Sequence, residues 1–238
     1  MKFPILLPNI FNHPFTYESD LDLKVGDYVV VPFGKSKITG VVWDEFEKKN
    51  NKDFKLRTIF KKLNVTPLKK TTIKFLNWFA EYNIIPKGMA LKLVLLSSNA
   101  VEKSQKDFFK IFKTKIATNT IKLSDEQQKS LRKMNISNEQ FRVHVLQGTT
   151  GSGKTIVYFS ALKEIIKKGF QGLILLPEIG LTSQFEKKFL EFFGIVPAIW
   201  HSGISKKRKE IIWSGVANGE IKVVIGARSS LFLPFKKM

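Results

Sequence analysis

The sequence predicts an α/β protein in which a P-loop parallel sheet follows a small β-rich α+β domain. Three observations predict it. The run Gly148-Thr149-Thr150-Gly151-Ser152-Gly153-Lys154-Thr155 satisfies G-x-x-x-x-G-K-T, a loop that cradles phosphates between a strand and a helix. From Leu123 onward, short apolar runs alternate with amphipathic helical stretches, the pattern of parallel strands joined by crossover helices. Before Ser97, the strongest signals are β-branched and aromatic runs around a glycine-containing turn, which read as antiparallel strands.

In the N-terminal part, Val25–Phe33 and Ile38–Trp43 flank Gly34-Lys35-Ser36-Lys37 as a hairpin. Lys48–Asp53 reads as a loop and Lys55–Leu63 as a further strand. Thr66 followed by Pro67 is a helix-start signal, and Leu68, Ile73, Leu76, Phe79 and Tyr82 then recur along one helical face. Pro86-Lys87-Gly88 breaks that helix, and Met89–Leu96 suits a short buried one. Trp43, Trp78 and Phe79 read as core rather than as base-stacking platforms. Residues 99–122 are rich in Ser, Asn, Lys and Thr and read as a linker, with a short packed helix at Phe108–Phe112. The expected organisation is therefore 1–98, a linker over 99–122, and 123–238.

In the C-terminal part, Ser124 caps a helix through Gln127, Gln128 and Leu131. Phe141–Gln147 is expected to be a buried strand leading into the P-loop, and Ile156–Lys168 a helix closed by Gly169. Strands at Gly172–Leu176, Ile195–Trp200 and Ile221–Ile225 alternate with helices at Leu181–Phe193 and Ser205–Ala217.

Composition narrows the function classes. The chain of 238 residues has no cysteine, so it offers no disulfide framework, thiolate metal site or thiol nucleophile. It shows no apolar run of membrane-spanning length and no export signal, which points to the cytoplasm. A net charge of +20 fits a polyanion partner; a lysine-rich compositional bias accounts for it equally well.

The P-loop carries the clearest chemistry. Glycines let the amides of Gly148, Thr149, Thr150, Gly151, Ser152 and Gly153 face phosphates at a helix N-terminus. Lys154 can reach the β- and γ-phosphates of ATP, and the Thr155 hydroxyl can hold Mg2+. Gln127 could set an amide against an adenine edge, a solvated helix glutamine being the alternative. Pro177–Gln184, with Thr182, and Gly226–Ser230, with Arg228, each follow a strand. Ligands gather at such strand ends, and hydroxyl, amide and guanidinium groups suit a phosphate backbone; ordinary strand–helix turns are the alternative. His201-Ser202-Gly203 reads as a turn, and Lys206–Lys209 as a solvated helix face.

Four blocks carry a resemblance: Gly148–Tyr158, Leu176–Gln184, His201–Gly203 and Ile225–Phe235. In this order they resemble the PriA family of bacterial primosomal replication-restart helicases. A fainter likeness extends over residues 1–98 through Val31-Pro32-Phe33-Gly34-Lys35 and Gly40-Val41-Val42. The resemblance implies part of the first RecA-like motor lobe of a DNA-stimulated ATPase that moves 3′ to 5′ on single strands. Its implied partners are forked and single-stranded DNA, 3′ DNA ends, primosome components and single-strand-binding proteins, on the nucleoid and with no membrane. It further implies an N-terminal pocket for a free 3′ end at Phe15, Gly34 and Arg57, with Thr16 where the family often has aspartate. Thr182 and Arg228 would contact DNA. Residues 99–122 are too short for the family's winged-helix domain, and the chain stops before the expected acidic metal-binding segment. Zinc belongs to the full-length family members and not to this chain. A chain so bounded is expected to bind DNA, hold ATP weakly and hydrolyse little. The alternatives are a DNA-end-binding module with an inactive nucleotide lobe and a P-loop enzyme for small molecules.

Overall fold

The computed structural model describes residues 1–46, 55–95, 122–134, 141–177 and 183–238. These fall into two compact units. One holds the described residues of Met1–Phe109 with Ser202–Asn218 and Leu231–Lys236. The other holds those of Lys110–His201 with Gly219–Ser230 and Lys237–Met238.

The first unit is built on β1 (Lys2–Leu6), β2 (Phe15–Glu18), β3 (Tyr28–Phe33), β4 (Ser36–Val42) and β5 (Lys61–Lys62). They form an antiparallel sheet in the order β2-β1-β4-β3-β5. The expected hairpin is β3–β4, closed at the Phe33–Ser36 pair. Gly34 in its turn has φ +60°, a left-handed conformation that favours glycine. The two sheet edges then meet: Glu18 bridges Thr58, its N–H donating to the Arg57 carbonyl (3.1 Å) and its carbonyl accepting from Ile59 N–H (3.0 Å). The sheet curls on itself around Ile5, Leu7, Tyr17, Leu23, Val29, Val31, Val42 and Ile59. Tyr28 on β3 meets Trp213 of a later helix edge-on at 5.9 Å, which is why β3 is apolar on both faces.

Helices α1 (Lys70–Tyr82) and α2 (Lys87–Val94) follow, and Pro86 separates them as expected. The Lys55–Leu63 strand is shorter than its pattern suggests, reduced to β5 and the bridge at Thr58. Helix α1 starts at Lys70, not after Thr66-Pro67, and its N-cap makes no side-chain bond. Leu68 N–H donates to the Gly26 carbonyl at 2.8 Å, which commits this stretch to the sheet before the helix begins. Trp43 lies in the core, but Trp78 is 54% and Tyr82 74% exposed. Helix α1 buries Ile73, Leu76 and Ala80, and this stripe turns Trp78 and Tyr82 outward, stacked at 5.2 Å. Phe79 is half-buried against Phe232 (4.9 Å). The Lys48–Asp53 loop and the linker up to residue 121, with its Phe108–Phe112 helix, lie outside the described residues.

The second unit contains α3 (Asp125–Lys133), α4 (Lys154–Lys167), β6 (Gly172–Leu175), α5 (Ser183–Phe193), β7 (Ala198–Trp200) and β8 (Val223–Gly226). The strands are parallel in the order β6-β8-β7. Helices α4 and α5 pack on the sheet through Phe159, Leu162, Ile166, Phe189, Phe192 and Phe193. The remaining helix, α6 (Lys206–Asn218), belongs to the first unit; it exposes its basic first turn and buries Ile211–Ala217. Its Trp213 Nε1 donates to the Val94 carbonyl at 2.7 Å.

One expected strand is absent. Residues 141–149 form no ladder, and Phe141 and Val145 are 92% and 89% exposed. The apolar alternation suits a strand, but a strand needs a neighbour to take its backbone hydrogen bonds, and no described segment supplies one. An antiparallel β-rich part followed by a parallel α/β part is nevertheless the fold class read from sequence. No helix among the described residues is long and apolar enough to cross a membrane.

Candidate functional site

The P-loop opens helix α4. A short turn at Lys168–Gln171 joins α4 to β6, so α4 runs back along the sheet and its N-terminus lies toward the strands' carboxyl ends. Gly151 and Gly153 have φ of +86° and +79°, conformations that turn the loop back on itself. The first turn of α4 holds no acidic residue, so its own side chains leave the positive dipole end open to an anion. Lys154 Nζ donates to the carbonyls of Gly148 (2.6 Å) and Thr149 (2.7 Å). The ammonium thus lies across its own loop, and phosphate oxygens would exchange for those carbonyls. Thr155 is half-buried one residue further on, which suits a hydroxyl that meets a cation beside phosphates.

The fold brings Gln127 to this loop. Ser124 and Gln127 form a complete capping box on α3: Gln127 Oε1 accepts from Ser124 N–H (3.0 Å) and Ser124 Oγ from Gln127 N–H (3.3 Å). The same Gln127 donates from Nε2 to the Ser152 carbonyl at 3.2 Å. A Cβ at position 153 would run into this amide, so glycine there permits the approach as well as the φ. An amide retains a second N–H and a second lone pair, enough to meet a base edge while holding the loop.

The carboxyl ends of the strands are tied together. Leu176 N–H donates to the Gly226 carbonyl and Ala227 N–H to the Trp200 carbonyl, both at 3.0 Å. Arg228 and Ser229 are exposed just beyond, at the head of a 3-10 turn over Arg228–Phe232. Thr182 lies outside the described residues. Among the described residues no group of His, Asp and Glu is gathered as a metal site.

The second site lies where the N-terminal sheet closes on itself. Arg57 Nη1 donates to the Gly34 carbonyl at 3.2 Å, and Phe15 meets Phe33, the residue before Gly34, edge-on at 5.4 Å. The Glu18–Thr58 bridge sets this geometry by drawing Arg57 to β2. Two further rings join: Phe11 and His13 lie 5.2 and 5.0 Å from Phe15. The first turn of α2 holds their loop, with Gly88 N–H donating to the Phe11 carbonyl and Lys87 N–H to Asn12 Oδ1, both at 3.1 Å. Lys87 also pairs with Glu45. Beneath lies Tyr17, whose hydroxyl donates to the Pro32 carbonyl (3.0 Å); burial pushes its phenol up and the Arg57 charge pulls it back. Thr16 pairs with Pro4 in the sheet.

Ring walls beside a cation and a carbonyl with a second lone pair can take a base, a phosphate and a hydroxyl together. Sequence reasoning passed over Phe11, His13 and Phe33. The Phe-x-His-x-Phe alternation was the signal, hidden because its contacts come from a distant turn.

Residues 4–96 match the family described as 3′DNA-binding domain (3′BD). Residues 120–238 match the family described as Type III restriction enzyme, res subunit. Over 98% of its length the chain is 38% identical to the replication restart protein PriA of Rickettsia conorii and 37% identical to that of Rickettsia felis, spanning 35% of each. To the replication restart protein PriA of Haemophilus influenzae it is 27% identical over 98% of its length, spanning 42% of that protein.

Proposed function

The chain belongs to the PriA family of replication restart proteins, and on that premise we propose that it combines recognition of a DNA 3′ end with the nucleotide site of a 3′-to-5′ DNA helicase. The helicase would serve primosome assembly at stalled forks, on the nucleoid in the cytoplasm. Residues 1–98 would bind DNA, 99–122 would link, and 123–238 would hold nucleotide as part of the first motor lobe. Primosome and single-strand-binding proteins would be its protein partners.

At the pocket, the Gly34 carbonyl accepts from a terminal 3′ hydroxyl, Arg57 meets the adjoining phosphate, and Phe15 faces the base. At the P-loop, the amides of residues 148–155 and Lys154 hold the phosphates of ATP, Thr155 holds Mg2+, and Gln127 meets the adenine while bracing Ser152. The bound metal supplies charge neutralisation at the phosphates. Thr182 and Arg228 contact the DNA backbone. The observation that carries this reading is the joining of the two sites in one chain, an arginine-and-ring pocket and a P-loop with a lysine at its mouth.

A second reading, a DNA-end-binding module that holds nucleotide without turning it over, is favoured by segment 141–149 ahead of the P-loop, which forms no ladder with the described residues. One assay separates the two. ATP turnover is measured with and without forked DNA bearing a free 3′ end, for this chain and for one continued over the rest of its relatives' length. Stimulation by DNA in the longer chain, abolished by Lys154→Ala, is the expected result. Turnover indifferent to DNA, or unharmed by Lys154→Ala, sinks the motor reading.

A further inference from the structure

Beside the end pocket the first unit carries an aromatic group that the pocket does not use. Phe60 is 58% exposed, and its N–H donates to the Val30 carbonyl at 2.9 Å, which fixes its place beside β3. An isolated exposed ring is ordinary; the surroundings of this one are not. Lys37 holds its ammonium 3.1 Å from the ring centroid. Lys37 and, at the hairpin tip, Lys35 are exposed and have no carboxylate partner among the described residues. Phe60 lies three residues beyond Arg57 on the same segment, roughly 10 Å along an extended chain. Lys37 pairs with Pro32, two residues before Gly34, so the ring and its cations lie against the hairpin that carries the Gly34 carbonyl.

We propose that Phe60, Lys37 and Lys35 form a second contact station for single-stranded DNA, taking the stretch that leads away from the 3′ end. A base stacks on Phe60, Lys37 moves from the ring to the phosphate beside that base, and Lys35 neutralises the phosphate between the two stations. Stacking on an exposed ring is indifferent to sequence because every base has a flat face. Unpaired lysines around the ring supply the complementary charge, which an apolar protein partner would leave unmatched. The proposal rests on the end-pocket reading.

The test uses the whole chain with two probes bearing a free 3′ hydroxyl, a thymidine dinucleotide and a thymidine hexanucleotide. Phe60→Ala should weaken the hexanucleotide by roughly tenfold and leave the dinucleotide within about twofold, while Phe60→Trp restores hexanucleotide affinity. Lys37→Ala should lower the slope of log affinity against log salt by about 0.7 for the hexanucleotide. An unchanged hexanucleotide affinity in Phe60→Ala overturns the proposal, as does an equal loss for both probes. The thermal midpoint of Phe60→Ala should match the parent chain, so that a folding defect is told apart. A third probe, the hexanucleotide with a 3′ phosphate, isolates the pocket. If it binds as well as the hydroxyl form, the end-pocket reading fails, while the effect of Phe60→Ala still decides the second station.

Discussion

Lys154 shows how one side chain can be satisfied before its ligand arrives. Its ammonium is held by two carbonyls of its own loop, so binding exchanges charge–dipole bonds for charge–charge bonds and stays favourable. Lys154→Ala should weaken a fluorescent ATP analogue at least tenfold and leave DNA-end binding unchanged; equal nucleotide affinity would contradict the assignment. Tyr28 poses the opposite case, a buried hydroxyl with no partner among the described residues. Burial pushes its phenol well above the ordinary 10.0, so the folded state favours the neutral form. That stability is complete below the unfolded value and is lost as pH rises past it. Tyr28→Phe should therefore flatten the loss of stability above about pH 10 and leave neutral-pH stability equal or raised, as read by urea melts across pH. A large neutral-pH loss would mean that the hydroxyl has a partner after all.

At the level of elements, α3 meets the P-loop through its own N-terminus. The Ser124–Gln127 box spends two bonds on capping and a third on Ser152, which couples helix stability to P-loop placement. Ser124→Ala should cost about 1 kcal/mol of stability, the usual loss for an N-cap. Gln127→Ala, which removes the bonds to the Ser124 N–H and to the Ser152 carbonyl, should lower nucleotide affinity as well. A melt shift with no change in nucleotide binding would separate the two functions. Helix α6 is asymmetric in another way: its buried half anchors to β3 and α2 through Trp213, while its basic first turn faces solvent.

At the level of the whole molecule, the charge of +20 and the ring-lined pocket make different demands of salt. Counterion release weakens all DNA binding as salt rises, whereas stacking and a hydrogen bond to a terminal hydroxyl are screened little. Raising salt should therefore weaken affinity for both blunt duplex and 3′-tailed DNA, while the preference for the tail is kept. Competition titrations at two ionic strengths measure this ratio. A preference that vanishes with salt would reduce the pocket to general electrostatics.

What the sequence determined by itself was local. The P-loop, the β3–β4 hairpin, the cap at Ser124 and the strand–helix alternation after Gly169 each depend on residues a few positions apart, where glycine φ, capping and periodicity decide the outcome. Tertiary structure decided whatever needed a distant partner. The Glu18–Thr58 bridge set Arg57 beside Gly34 and Phe15. The first turn of α2 placed Phe11 near them, and the choice of buried stripe on α1 turned Trp78 outward. Residues 141–147 show the same rule from the other side: their apolar alternation is written in the chain, but a strand exists only where a neighbour takes its hydrogen bonds.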